Sequence, residues 1–360
     1  MKLLYITNGI TGAGGLERVL SVKTSLLIED FGYEVYLLTL NEGGKEPFFP
    51  FSNKGRQHSI VVTGNPISYF LQYRKGVQKL VDEIQPDVIS VCDDAIKGFF
   101  LPCIISTKAK WIYESHASVL LGSTDKGLPL HKKVQHELKQ LLGKRFSKIV
   151  LLTEGNRKEW QLNNMLVIPN PAPFETTQFS ALQDKKIIAV GSYSFNKGYD
   201  LLLNIWERIE NDFPEWELNI YGTDTQKNLQ QLADKQHLKK INFHNPVSDI
   251  GAKYLESSIM VLPSRSEGFG MVLIEAMTFG LPVISFDCPN GPKDIISNNE
   301  DGFLIENGNT CEFAEKLKKL MMSENLRQEM GEKARKNVLR FSAKKIVQQW
   351  DELFRSLVEL

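Results

Sequence analysis

The chain has no apolar run long enough to span a bilayer. Its longest, such as Phe99 to Ile105, fall far short of the roughly 20 residues a membrane helix needs. The N-terminus offers only Leu3 to Ile6 behind Lys2, too short for the apolar core of a secretory signal, so it reads as a first strand. Cysteine is scarce: Cys92, Cys103, Cys288 and Cys311 stand apart with no C-x-x-C pair, which argues against a zinc site or a disulfide framework and fits a reducing cytoplasm. An excess of one charge is missing too. The 43 basic and 43 acidic residues cancel, which speaks against nucleic acid as a partner, since duplex binding normally needs a strongly basic face.

What remains is ordinary globular composition, 42% hydrophobic and 24% charged, in 360 residues, enough for two domains at roughly 150 residues each. Up to Asn170 basic residues outnumber acidic ones 21 to 16; beyond it the acids lead 27 to 22.

Short apolar runs alternate with helix-period segments along the chain, the pattern of a parallel sheet covered by helices. The first half offers strands at Lys2 to Thr7, Glu34 to Leu40, Asp87 to Cys92, Trp111 to Glu114, Lys148 to Leu152 and Leu166 to Ile168. Pro169-Asn170-Pro171-Ala172-Pro173 then breaks both helix and central strand. Strands resume at Lys186 to Val190, Glu217 to Tyr221, Ile241 to His244, Ile259 to Leu262 and Pro282 to Phe286; from Thr310 on the chain is helical. The division predicted is residues 1–170, residues 171–342, and an amphipathic helix over 343–360 that packs back toward the first domain. Both domains read as α/β and doubly wound, with ligands expected beyond the carboxyl ends of the strands, in a cleft between two facing sheets.

Four segments carry candidate chemistry. Asn8-Gly9-Ile10-Thr11-Gly12-Ala13-Gly14-Gly15 follows the first strand and opens a helix, where glycines let backbone amides approach a phosphate. Glu17 stands where the dinucleotide fingerprint needs a third glycine, which lowers the dehydrogenase reading, and a glycine-rich turn without a ligand gives the same pattern. Gly191-Ser192-Tyr193-Ser194-Phe195-Asn196-Lys197-Gly198 puts a lysine at a helix start, unfavourable to the helix dipole unless an anion is near; a solvated lysine is the alternative.

The third segment runs from Pro263 to Ile284. Gly268 and Gly270 frame a loop exposing amides at the start of a helix predicted over Met271 to Phe279, Glu267 precedes it, and Glu275 lies one turn in, able to reach outward to hydroxyls. In the fourth, Tyr113-Glu114-Ser115-His116-Ala117-Ser118, a histidine at a strand's carboxyl end can donate to a sugar or phosphate oxygen, although a structural histidine reads the same. The six histidines show no metal-binding spacing, and Asp93-Asp94 is not the D-x-D of a metal-dependent transferase.

Together these segments resemble glycosyltransferase family 4, retaining enzymes of the GT-B architecture with two facing Rossmann-like domains; the strongest likeness is the E-x7-E segment ending in Glu-Ala-Met-x-x-Gly-x-Pro-Val-Ile. The resemblance implies that Glu275 binds the nucleotide ribose, Glu267 the donor sugar, and the amides of Phe269, Gly270, Met271 and Val272 the sugar and diphosphate. By the same likeness Lys197 neutralises the leaving diphosphate, Gly14 and Gly15 close over it, and His116 sits beside the transferring sugar. His244-Asn245-Pro246-Val247 is similar to the family's base-binding strand end. Ser192 stands where the family usually has arginine, so one cation at the diphosphate is missing. Cys288-Pro289-Asn290-Gly291-Pro292-Lys293-Asp294-Ile295-Ile296 is similar to a variant found in enzymes that build bacterial polysaccharides or lipid-linked oligosaccharides, often from UDP-sugars.

The implied reaction needs no metal and no cofactor: a hexose or N-acetylhexosamine moves from a nucleotide diphosphate sugar, UDP by this likeness, to a glycan or lipid-linked glycan acceptor. Rival readings are a nucleotide-sugar 2-epimerase, a phosphorylase-like protein, or a non-catalytic sugar-binding protein of the same fold. Lys132, Lys133, Lys139, Lys144, Arg145 and Lys148, with Leu138, Leu141 and Leu142, make either a basic amphipathic helix suited to anionic lipid or an ordinary surface helix. The first reading, with Phe48-Phe49-Pro50-Phe51, gives peripheral contact with the inner face of the cell membrane.

Overall fold

The apolar runs become the central strands of two parallel sheets. The structure is a computed structural model describing residues 1–93, 95–118, 129–223 and 228–359, and the chain divides into two units. The first holds the chain up to Pro173 and the segment from Ala343 on; the second is Phe174–Ser342.

In the first unit the strands are β1 (Lys2–Thr7), β2 (Glu34–Leu40), β3 (Arg56–Ile60), β4 (Val88–Cys92), β5 (Lys110–Glu114), β6 (Lys148–Leu151) and β7 (Met165–Val167), all parallel, in the order β3-β2-β1-β4-β5-β6-β7. Helices α1 (Gly15–Glu29), α2 (Pro66–Ile84), α3 (Ile96–Ile104), α4 (Leu130–Gly143) and α5 (Glu154–Arg157) connect them. Alternation along β1 explains the layering. Leu4 and Ile6 pack on one face with Tyr73 and Val77 of α2, while Leu3 and Tyr5 pack on the other with Leu20 and Leu27 of α1. Buried on both faces, the strand reads as a continuous apolar run. α2 starts where Asn65 accepts the Ser68 amide at 2.9 Å ahead of Pro66.

The second unit contains β8 (Lys186–Val190), β9 (Glu217–Tyr221), β10 (Ile241–His244), β11 (Ile259–Leu262), β12 (Val283–Asp287) and β13 (Gly302–Glu306), parallel in the order β10-β9-β8-β11-β12-β13. Its helices are α6 (Tyr199–Glu207), α7 (Asn228–Lys235), α8 (Ile250–Leu255), α9 (Met271–Thr278), α10 (Pro292–Ile295), α11 (Thr310–Met322) and α12 (Glu324–Val338). Trp206, Trp216, Phe286 and Phe313 fill its core. The last helix, α13 (Ala343–Val358), belongs to the first unit, where Ile346, Trp350 and Phe354 lie beside α1.

Strand order reverses between β1 and β4 in the first sheet and between β8 and β11 in the second, so each unit has a switch point where ligands lodge. Two strands were not expected. β3 (RQHSI) is half-exposed and polar because it pairs only with β2 at the sheet edge. β13 (GFLIE) is the opposite edge of the second sheet, extended beyond the last expected strand. Among the described residues no helix is long and apolar enough to cross a membrane.

Candidate functional site

At the switch point of the second unit the loops after β8 and β11 meet so closely that only glycine fits. A Cβ on Gly198, whose φ is +64°, would lie 2.1 Å from the Pro263 carbonyl oxygen. A Cβ on Gly222, after β9, would lie 1.9 Å from the Gly191 carbonyl oxygen. These crossings bring the 3₁₀ turn Phe195–Lys197 onto the 263–267 loop. Lys197 Nζ reaches Glu267 Oε1 at 2.6 Å, and the same oxygen accepts the Ser264 hydroxyl at 2.6 Å. The lysine side chain is 23% exposed and the carboxylate 8%, so the pair borders solvent from a mostly buried seat.

Arg265 fastens this arrangement. It forks onto Asp200 at 2.7 and 2.6 Å, donates to the Phe195 carbonyl at 2.9 Å, and sends its own amide to the Asn196 carbonyl at 2.7 Å. Burial would raise the Asp200 carboxyl, but the guanidinium beside it holds it below its ordinary value. Ser192, where the resemblance led to an arginine being expected, is exposed, and the Arg265 guanidinium is committed to the loop scaffold.

Behind Glu267, α9 begins at Gly270, whose φ of +98° only glycine adopts freely. The amides of Phe269, Gly270, Met271 and Val272 donate to no acceptor among the described residues, leaving a helix start able to receive an anion. Gly291, φ +94°, comes so near that a Cβ would sit 1.9 Å from the Phe269 carbonyl oxygen; the Cys288–Pro292 loop is the strut of this turn. Glu275 lies one turn into α9, is 4% exposed, and accepts the Tyr254 hydroxyl at 2.9 Å.

β10 ends at His244, which stacks on Tyr221 at 4.5 Å and meets Asn219 Oδ1 at 3.0 Å. Asn245 and Pro246 follow as exposed residues and Val247 is half-buried.

In the first unit the glycine-rich loop differs from expectation. The amides of Ile10 and Thr11 donate to the Glu42 carboxylate at 2.7 and 3.4 Å and are not open to a phosphate. Gly14 caps α1 with the Glu17 carboxylate against it, close enough that a Cβ would lie 2.5 Å from Oε2, and Gly15 is the helix's first residue. Burial pushes the Glu17 carboxyl up.

His116 follows β5 and its Nε2 lies 3.1 Å from Glu114 Oε2. That carboxylate also takes the buried Lys23 ammonium at 2.5 Å and the Ser90 hydroxyl at 2.6 Å. Burial alone would raise Glu114, but Lys23 and His116 hold its carboxyl at about 2. Ligand atoms of Cys92, Glu114 and His116 fall within 4.8 Å of one another, but the Glu114 carboxylate is already taken by Lys23, and burial raises the Cys92 thiol. The roles of Lys23, Asp200, Tyr254 and Arg265 went unread in the sequence. Lys23 left a signal, a charge on the stripe Leu16, Leu20, Leu27 that α1 buries.

Residues 175–337, the stretch holding the Lys197–Glu267 pair and α9, match the family described as glycosyl transferases group 1. The chain is 31% identical to an uncharacterized glycosyltransferase of Haemophilus influenzae, over 97% of this chain and 98% of that one. It is 29% identical to the amylovoran biosynthesis glycosyltransferase AmsD of Erwinia amylovora, over 98% and 99%. The solved structure of Anabaena HepE in complex with UDP and glucose superposes with a TM-score of 0.78 at 16% identity, covering 99% of this chain and 100% of that one, a likeness of fold. The two doubly wound units are those of the GT-B fold, and the chain belongs to the group 1 glycosyl transferases.

Proposed function

We propose that the chain is a retaining, metal-independent family 4 enzyme that moves a hexose or N-acetylhexosamine from UDP-sugar to a glycan or lipid-linked glycan in bacterial polysaccharide assembly. The observation that carries this is the Lys197–Glu267 pair at the β8/β11 switch point, set beside the unpartnered amides that open α9. A partly exposed ammonium next to free amides suits a diphosphate, and a carboxylate beside them suits sugar hydroxyls. UDP is supported by its presence in the HepE complex, and the acceptor class by the amylovoran enzyme's name.

In the proposed reaction the bond from the anomeric carbon to the diphosphate oxygen breaks through an oxocarbenium-like state. The acceptor oxygen attacks from the same face and its proton passes to the departing phosphate oxygen. Lys197 and the amides of Phe269, Gly270, Met271 and Val272 meet the charge that grows there. Glu267 holds the donor sugar, Glu275 the ribose, Asn245, Pro246 and Val247 the base, Gly14 and Gly15 close over the diphosphate, and His116 serves the transferring sugar. Thermal stabilisation by UDP, GDP and ADP, followed by transfer from the matching sugar nucleotides, tests the reading. A ligand at 100 times its Kd adds about 2.7 kcal/mol, and stabilisation by none of the three refutes it.

A further inference from the structure

The Glu114 carboxylate, 1% exposed, is ionised, because the ammonium of Lys23, itself 0% exposed, lies against it. An ionised carboxylate can only accept hydrogen bonds. The contact between Glu114 Oε2 and His116 Nε2 therefore needs the imidazole proton on Nε2, and in the neutral ring Nδ1 then carries a lone pair. Nδ1 meets no partner among the described residues. Lys23 is held in turn by Trp350 of α13, whose ring centre is 4.0 Å from Nζ, and by Tyr5 at 4.9 Å.

We propose that the buried Lys23–Glu114 pair locks His116 as its Nε2–H tautomer, so that His116 presents Nδ1 as an acceptor for a substrate hydroxyl rather than a donor to phosphate. Lys23 and Glu114 are positioning residues, one ring removed from substrate. The hydroxyl contact rests on the placement of His116 beside the transferring sugar proposed above; the tautomer does not.

The test is two-bond ¹H–¹⁵N NMR of histidine-labelled full-length protein at pH 8, with the His116 signal identified by its loss in His116→Gln. The Nε2–H pattern is expected, and an Nδ1–H pattern overturns the proposal. Glu114→Gln alone strands a buried ammonium, so the informative variant is Lys23→Met with Glu114→Gln, which removes both charges at similar volume. The glutamine can turn its amide toward the ring, so the single-tautomer pattern should be lost. Turnover should fall about 10- to 100-fold, by analogy with the groups that orient a metal-bound histidine, with the donor KM little changed. A variant that folds and keeps the wild-type pattern refutes the lock. Full turnover in His116→Gln refutes the hydroxyl contact and the placement of His116, whereas failure of the nucleotide site is read separately from stabilisation by UDP.

Discussion

Replacing Lys197 by alanine removes the ammonium 2.6 Å from Glu267 and leaves that carboxylate, 8% exposed, with the Ser264 hydroxyl as its remaining partner among the described residues. Breaking a fully buried ion pair costs about 3–5 kcal/mol. Here the lysine is 23% exposed and Ser264 still donates, so about 1–3 kcal/mol, the cost of a polar group left short of a partner, is the fitting range. For a unit of this size each kcal/mol lowers the melting temperature by about 2–4 °C. The kinetic loss should be larger, about 10²- to 10³-fold in turnover, because the ammonium meets charge that develops as the glycosidic bond breaks. UDP affinity should survive in large part. Because lysine and glutamate touch, Lys197→Met, Glu267→Gln and the double variant should be non-additive, with a coupling of about 0.5–3 kcal/mol in stability. Ser192→Arg should be tolerated and should restore part of the lost rate. Turnover of donor and acceptor, beside a thermal melt of each variant, measures both effects. A well-folded Lys197→Ala enzyme at near wild-type rate refutes the placement of the leaving group.

Glu275→Ala should weaken UDP binding and lower the melting temperature, since it also removes a hydrogen bond accepted from the Tyr254 hydroxyl, whereas Glu267→Ala should act mainly on turnover; titration calorimetry with UDP showing equal losses contradicts the assignment. Gly198→Ala places a Cβ against the Pro263 carbonyl and should cost turnover nearly as much as Lys197→Ala, while Gly308→Ala, also at positive φ but with open space around it, should cost only backbone strain of about 1–2 kcal/mol; equal melts and equal rates for the two contradict the loop crossing. α4 buries only Gly143 and exposes Leu130, Val134 and Leu141 beside its lysines, so the chain should sediment with anionic liposomes at low salt and release at high salt; no binding at low salt leaves α4 an ordinary surface helix.

The central strands were legible because a parallel strand buried on both faces must be apolar throughout: β1, β2, β8, β9 and β11 lie where their runs fall. Edge strands escape that rule, which is why polar β3 went unseen. In the site, glycines and the acid spacing around α9 could be read from the chain. Their partners could not. Arg265 meets Asp200 and Lys23 meets Glu114 across long separations that only the folded loops close. Glu275 could be located by its spacing but its partner Tyr254 could not, because helical spacing says which residues share a face and not which neighbour meets them.

The chain enters the second unit after Pro173 and leaves it at Ser342, returning through α13 to the sheet it began. In the language of recombination, the unit bearing the Lys197–Glu267 pair is an insert with two junctions rather than a terminal half. A chimaera that exchanges everything after residue 173 would import a foreign α13 onto α1, replacing Trp350 above the Lys23 ammonium with whatever the donor sequence supplies. Exchange of donor preference between relatives therefore calls for a cassette cut at both junctions, with the native C-terminal helix kept in place.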